Sequence, residues 1–396
     1  MSLIKSNIVY AISNQVAISA GSNNSIAVTL NRVASAASQI TPIGSGYTLL
    51  IQFFTSSSLN IQSMSYSLTN LTVESGYQGF YTTTTPQQAK IYDANKNEFL
   101  MRGMSNAHAW FDSYSRWLAY NALPYIAQTG SNVVRIVWLA SPQPGLVAAD
   151  LEKIILLTIQ LKMIPMLELH DATGSSDANY LNQMAQYWAN NVWLLIKYRK
   201  YILVNICNEW SPFGTDLLFW SQSYSNAISI IRAAGFSGVL IVDASAYAQN
   251  PNGPITYGKQ MIANDLANNL VFSVHMYSQW SVQQPDYSIL TYMSLIKNAS
   301  IPFIVGEFGY QTTVSSCSIY TIDAVSIMQQ CYNLGFGYLG WSWCGNGQGD
   351  CGISLSFLDL ASNSVWNTTS YSTWGNILFN TASYGVKATS KLATIF

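Results

Sequence analysis

The sequence predicts a (β/α)8 (TIM) barrel preceded by a small all-β, sandwich-like domain. Three observations carry that prediction. Eight apolar strand-like runs recur about every 30 to 40 residues from residue 98 onward. A helix-length amphipathic segment follows each one, which is what parallel crossovers demand. No GxGxxG follows the first run, so the main support for a doubly wound open sheet is missing. Eight such units over about 300 residues make one barrel.

The first 87 residues differ in texture. NQVAISA, SIAVTLNRV, YTLLIQFF, MSYSLTNLTV and GFYTTTT alternate apolar and polar residues between Gly, Asn and Ser. Short alternating strands so punctuated read as an antiparallel sandwich. Its tyrosines suit a sugar-binding platform, but Tyr is also an ordinary strand residue. TTTTPQQAK reads as the linker, giving a β-rich accessory domain over residues 1–87 and a barrel over 88–396. The barrel runs are EFLMRGMS (98–105), NVVRIVWL (132–139), MIPMLELH (163–170) and ILVNICNE (202–209). They continue with GVLIVDAS (238–245), LVFSVHMY (270–277), PFIVGEFG (302–309) and GYLGWSWC (337–344). The segments between them, such as LEKIILLTIQLK and DLLFWSQSYSNAISIIRAAG, have helical periodicity.

Charged residues form only 9% of the 396, against a usual share of about a quarter. Ser, Thr, Asn, Gln and 25 Tyr take their place, and aromatics reach 13%, which excludes a disordered chain. A net charge of -1 without a Lys/Arg run leaves no footprint for nucleic acid or an anionic membrane. No apolar run reaches the roughly 18 residues of a membrane span. A neutral surface rich in hydroxyls and aromatics suits a neutral polysaccharide. It equally suits work in acid, where few carboxylates mean little is lost on protonation.

The opening MSLIKSNIVYAISNQV lacks a signal-peptide core and cleavage site, so any signal segment is expected to be absent from this sequence. None of the five cysteines shows CxxC spacing, which argues against zinc. Cys344 and Cys351 flank a Gly-rich loop, and Cys317 and Cys331 bracket a helical segment; both pairs are possible disulfides of an extracellular protein. Cys207, inside a strand, reads as a buried thiol. Sequons at Asn23, Asn70, Asn298 and Asn367 permit glycosylation. The expectation is an extracellular monomer.

The chain has three histidines, His108, His170 and His275, and all fall at or just beyond strand ends. Of six glutamates, Glu209 and Glu307 close apolar strands. Arg135 lies in the second run, Asp171 follows His170, Tyr277 follows His275, and Trp341 lies in the last run. In a barrel, strand C-terminal ends share one rim, so these residues converge. A carboxylate buried at a strand end is costly unless paired or used, and a structural ion pair is the alternative reading. Two carboxyls across a barrel mouth suit glycoside hydrolysis, with one protonated and the other ionised. A His/Glu metal site is the runner-up, but HExxH spacing is absent and the histidines come from different strands. Ser/His/Asp chemistry lacks its GxSxG elbow and phosphate chemistry its Gly-Lys loop.

In combination these motifs resemble glycoside hydrolase family 5, part of a larger clan of retaining β-glycanases that shares this barrel. The residues are Arg135 in NVVRIVW, His170 in LELHDATG, Asn208-Glu209 in CNEW, His275 and Tyr277 in SVHMY, Glu307 in VGEFG, and Trp341 in GWSWCGNG. The resemblance covers about residues 88 to 382. KIYDANKNEFLMRGMSNAHAWF, HDATG, NEW, IVDASAYAQNP and WSWCGNG are similar to the wording of bacterial-type endo-β-1,4-mannanases. The resemblance implies Glu209 as acid/base and Glu307 as nucleophile. It implies Asn208 on the sugar 2-hydroxyl, Arg135 and Tyr277 on Glu307, and His275 beside Glu209. Trp341 would floor the −1 sugar, His108 and His170 would line the glycone side, Trp210 the aglycone side, and Asp171 would also bind substrate. A β-linked polysaccharide is the implied partner, with no metal or organic cofactor. Mannanases of this type tend to carry Lys where this chain has Cys344, which bears on the −2 sugar. An endo-β-1,4-glucanase of the same family and a barrel that binds polysaccharide without cutting it are the alternatives.

Overall fold

Eight apolar runs pair in sequence order into a closed parallel barrel. In the computed structural model they are β1 (Arg102–Asn106), β2 (Val133–Trp138), β3 (Ile164–Leu169) and β4 (Leu203–Asn205). β5 (Leu240–Asp243), β6 (Leu270–Met276), β7 (Phe303–Phe308) and β8 (Gly337–Gly340) complete it. Every residue of these strands is buried. That is why they read as continuous apolar runs rather than alternating ones. The structure describes residues 79–85, 88–111, 117–140 and 147–396, with the backbone of five short strands before residue 68.

The outer helices start where short polar side chains cap them. Asp177 accepts from the Asn179 amide, Ser288 from Thr291, Asp323 from Ser326 and Ser372 from Gly375. Each such cap is worth about 1 kcal/mol. They open the helices Ala178–Asn190, Ile289–Ala299, Ala324–Leu334 and Thr373–Asn380. The N-terminal mouth of the barrel is plugged by Phe80, Ile91, Phe99 and Met101, together with Ala393 and Ile395 from the chain's end. Burying each large side chain contributes roughly 1.5–3 kcal/mol. The plug leaves the C-terminal mouth open for chemistry.

Three expectations are corrected. TTTTPQQAK is not a linker: Tyr81–Thr85 and Gln88–Tyr92 form an antiparallel hairpin. The threonines are β-branched residues suited to a pleat, and Phe80 and Ile91 on either side belong to the barrel core. One compact unit accordingly holds Gln78–Ile231 and Phe236–Phe396, the other Met1–Tyr77 with Arg232–Gly235, so the boundary falls about ten residues early of the expected one. The cysteines pair as Cys317–Cys351, with Cα atoms 5.8 Å apart, while Cys207, Cys331 and Cys344 are buried thiols. Cys331 faces inward on its helix, its thiol towards the Gly337 carbonyl at 3.6 Å, and Cys344 sits against His108. Neither is free to meet the partner expected for it.

β4 is the third. It ends at Asn205, so Glu209 lies beyond the ladder, not at its last rung. In the N-terminal unit the described strands form one antiparallel sheet, ordered Asn31–Arg32, Ile8–Ile12, Ser2–Lys5, Thr48–Phe53, Gln62–Ser67. The NQVAISA segment and the second sheet of the expected sandwich lie outside the described residues.

Candidate active site

β7 delivers Glu307 by means of an irregularity. Val274 of β6 pairs with Val305, but His275 pairs with Glu307, so Gly306 is the extra residue. A Cβ on Gly306 would lie 2.1 Å from Ser273 Oγ and 3.1 Å from His275 Nε2. A larger residue would have to displace the Ser273 hydroxyl, and the bulge re-aims the residue after it. Glu307 Oε1 accepts from Arg135 Nη1 at 2.6 Å, and Oε2 from the Tyr277 hydroxyl at 3.0 Å. Both lone-pair edges of the carboxylate are held by donors from other strands.

Glu209 is presented by strained backbone. Its φ is +45°, followed by +92° at Ser211. Left-handed conformations are rare for non-glycine residues and persist only where surroundings enforce them. Here the Glu209 amide donates to Asp243 Oδ2 at 3.0 Å, and the preceding Asn208 amide to the Leu169 carbonyl at 2.8 Å. Glu209 Oε1 meets His275 Nδ1 at 2.7 Å. The Asn208 side chain accepts from Arg135 Nη2 at 2.7 Å and donates to Thr173 Oγ1 at 2.9 Å.

One oxygen each from Glu209 and Glu307 lies within 4.8 Å of the other. Two carboxyls that close interact strongly and titrate as a pair. Arg135 sits among Glu168, Asp243, Glu209 and Glu307; burial works against its charge, but those four carboxyls outweigh burial and keep it ionised. Burial pushes Glu307 up to about 7, while Arg135 and then His170 restrain it. Burial, then the charges of Glu307 and Asp243, pushes Glu209 well above the ordinary carboxylate range. Glu307 has the cation at 2.6 Å and Glu209 does not, so Glu307 loses its proton first. Burial, with Arg135 and His170, holds His275 well below its usual value, so the ring is neutral. Burial and the two glutamates keep Tyr277 a phenol, and hence a donor. The arrangement provides one ionised and one protonated carboxyl, side by side.

The profile of the cellulase family, glycosyl hydrolase family 5, matches residues 92–347. The chain belongs to glycosyl hydrolase family 5. It is 35% identical to a mannan endo-1,4-beta-mannosidase of Cellvibrio japonicus over 82% of this chain and 71% of that one. With the mannan endo-1,4-beta-mannosidase of Salipaludibacillus agaradhaerens the identity is 32%, over 77% and 93%. A mannotriose complex of Thermomonospora fusca beta-mannanase superposes with a TM-score of 0.68 at 31% identity, over 80% of this chain and 99% of that one.

In this family 5 barrel the two glutamates open onto a cleft of about 900 Å³, shared with His170, Asn208, Tyr277 and Trp341. Trp341 is fixed at its edge, its indole N–H donating to Asn346 Oδ1 at 2.9 Å. The Asn346 side chain in turn donates to Asp359 at 2.6 Å. His170 stacks on Trp341 with ring centroids 5.8 Å apart, and Trp110 lies 4.0 Å from His170. Arg135 and His275 are buried behind the cleft rather than in it.

Three expected lining residues are elsewhere. Trp210 is fully buried, packs on Phe219 and Tyr224, and donates to the Asp177 carbonyl at 3.0 Å. The left-handed turn at Glu209 throws it behind the loop, and half-exposed Phe213, against Tyr247 at 5.0 Å, takes the cleft position instead. Asp171 accepts the Ala140 amide at 2.7 Å and ties the β3 end to the β2 end. His108 is buried with Nε2 3.2 Å from Cys344 Sγ, so neither it nor Cys344 reaches the cleft. Sequence reasoning missed Glu168, Asn205, Thr173 and Asp243. Asp243 carried a readable signal, a carboxylate ending the apolar run LIVD.

Proposed function

We infer that the chain is a secreted, retaining endo-β-1,4-mannanase. The observation that carries this reading is the Glu209–Glu307 pair, with oxygens within 4.8 Å. Retaining glycosidases need carboxyls about 5–5.5 Å apart, and inverting ones about 6.5–9.5 Å, to admit water between. Glu307, ionised and aimed by Arg135 and Tyr277, attacks the anomeric carbon. Glu209 gives its proton to the departing glycosidic oxygen, the C–O bond breaks, and a glycosyl ester forms on Glu307. Glu209, now a carboxylate, takes a proton from water as that water attacks the same carbon and releases Glu307. Asn208 meets the 2-hydroxyl, and Trp341 floors the −1 sugar. Preference for mannan is supported by the relatives named above, and an open cleft with walls on several loops suits internal cleavage. The Cys317–Cys351 disulfide supports an oxidising, extracellular setting, and no described helix is long and apolar enough to cross a membrane.

The test is reducing-sugar release from glucomannan, galactomannan and carboxymethylcellulose in parallel. The mannans are expected to be cut faster, and an equal or greater rate on the cellulose derivative moves the assignment to endoglucanase.

The disulfide joins the ribbon Gln311–Thr313/Ile319–Thr321 to the loop after β8, and both segments line the cleft. Opening it, by reductant or in a Cys317→Ser/Cys351→Ser variant, is expected to raise KM for polymer with kcat little changed. The rise should be roughly three- to tenfold, equivalent to ordering one or two extra side chains on binding. Steady-state kinetics on glucomannan checks it, and an unchanged KM shows that the ribbon does not touch the chain being cut.

A further inference from the structure

Asp243 ends β5, is wholly buried and does not line the cleft. Nevertheless it touches nearly everything that holds Glu209. Its Oδ2 accepts the Glu209 amide at 3.0 Å. Its Oδ1 accepts Asn205 Nδ2 at 3.1 Å, and Asn205 Oδ1 receives Arg135 Nη2 at 3.0 Å. Oδ2 also faces His275 Nε2 at 3.6 Å and Arg135 Nη2 at 4.0 Å. The Ser273 hydroxyl hydrogen-bonds it as well. The remaining charged or titratable neighbours are Glu168 from β3, Glu307 from β7, Cys207 after β4 and Tyr224 from the helix Leu217–Ala233.

His275 Nε2 is buried and has no hydrogen-bond partner. A lone pair there would face the Asp243 carboxylate, whereas an N–H would face it favourably. A neutral ring with its hydrogen on Nε2 has a lone pair on Nδ1. The 2.7 Å contact from Nδ1 to Glu209 Oε1 is then a hydrogen bond only when Glu209 carries a proton.

We propose that Asp243 is the positioning residue of the acid/base: it fixes the left-handed backbone of Glu209 and sets the His275 tautomer that keeps Glu209 protonated. This rests on the retaining-hydrolase reading, in which Glu209 is the proton donor. Asp243 touches neither sugar nor reacting atoms. It acts through the Glu209 amide from one side and through the imidazole from the other. Once Glu209 has given up its proton, the same negative charge strengthens it as the base that activates water.

The experiment is the pH profile of kcat/KM on glucomannan for wild type, Asp243→Asn and Ser273→Ala. Asp243→Asn removes the charge, lets the ring hydrogen move to Nδ1, and so favours the Glu209 carboxylate. Its alkaline limb is expected to move to lower pH by about one unit, a tenfold loss above the optimum, with the acid limb moving less. Ser273→Ala removes one donor from Asp243, makes that carboxylate easier to neutralise, and should move the alkaline limb the same way by a few tenths. It covers the case in which Asp243→Asn does not fold. On a dinitrophenyl β-mannobioside, whose leaving group needs no proton, Asp243→Asn should keep the initial burst of phenolate and slow the turnover that follows. A uniform loss at every pH, with the alkaline limb in place for both variants, overturns the proposal and leaves Asp243 a structural residue. Failure of the underlying reading looks different: Glu209→Gln would then keep wild-type turnover.

Discussion

Glu307→Gln and Glu209→Gln each lose at least about a thousandfold in kcat on glucomannan, as removal of a group essential to one step does, but they fail in different ways. Without Glu307 no glycosyl ester can form, so the loss is independent of the leaving group. The amide still fills the space and accepts from Arg135, so the variant should bind oligosaccharide and crystallise with it. Without an acidic Glu209, bond cleavage depends on what leaves. A dinitrophenyl glycoside should still load Glu307 quickly, because the phenolate departs unprotonated, and then stall for want of a base. Burst kinetics and intact-protein mass measurement check both halves: Glu209→Gln accumulates the glycosyl adduct and Glu307→Gln shows none. Wild-type turnover in both variants would falsify the two-glutamate mechanism, and a wild type with no turnover of its own would leave a polysaccharide-binding barrel.

The pH dependence of the native enzyme follows from the same pair. On the proposed mechanism the productive form has Glu307 ionised and Glu209 protonated, so kcat/KM is expected to fall in acid as Glu307 takes up a proton and in alkali as Glu209 loses one. Burial displaces the acid limb upward from the ordinary carboxylate range towards about 7. The sparse charge of the sequence bears separately on stability in acid, where few carboxylates mean little is lost on protonation.

The barrel was legible because its strands are buried on both faces and so leave unbroken apolar runs. Even the rim could be read: with only three histidines and six glutamates in the chain, their clustering at strand ends stands out. What periodicity cannot show is where the ladder stops. β4 ends at Asn205, and the left-handed turn at Glu209 then decides which side chains face the cleft. That is why Trp210, adjacent in sequence, lies behind the loop and Phe213 lies in front. Disulfide pairing is equally non-local: spacing favoured neighbours such as Cys344 and Cys351, whereas Cys317 is brought to Cys351 by two loops from different strands. Asp243 was open to the reasoning used for Glu209. Its partners, an amide beyond the neighbouring β4 and an imidazole on β6, are visible only once the three strands are paired.

Arg135→Met destabilises the fold by about 3–5 kcal/mol near pH 7, the penalty for breaking a buried charge network from one side. In a protein of this size that lowers Tm by roughly 5 °C. The side chain is 1% exposed and is the cation nearest to four carboxyls: Glu307 at 2.6 Å, Glu168 at 3.7 Å, Asp243 at 4.0 Å and, more distantly, Glu209. Methionine keeps much of the volume, so the effect is electrostatic rather than a cavity. The sign of its pH dependence separates the two causes. Glu307 and Asp243, already raised by burial to about 7 and about 6, rise further once the cation is gone. A carboxyl whose folded pKa lies above its unfolded one stabilises fully below the unfolded value, and that stabilisation is lost as pH climbs through the folded one. The gap between wild type and variant should therefore be small at about pH 3, below the unfolded carboxyl values, and widen through pH 7. Thermal melts followed by circular dichroism at the two pH values measure it. An equal gap at both would mean that Arg135 supports the barrel by packing, and that the carboxyls around it are held apart by something other than its charge.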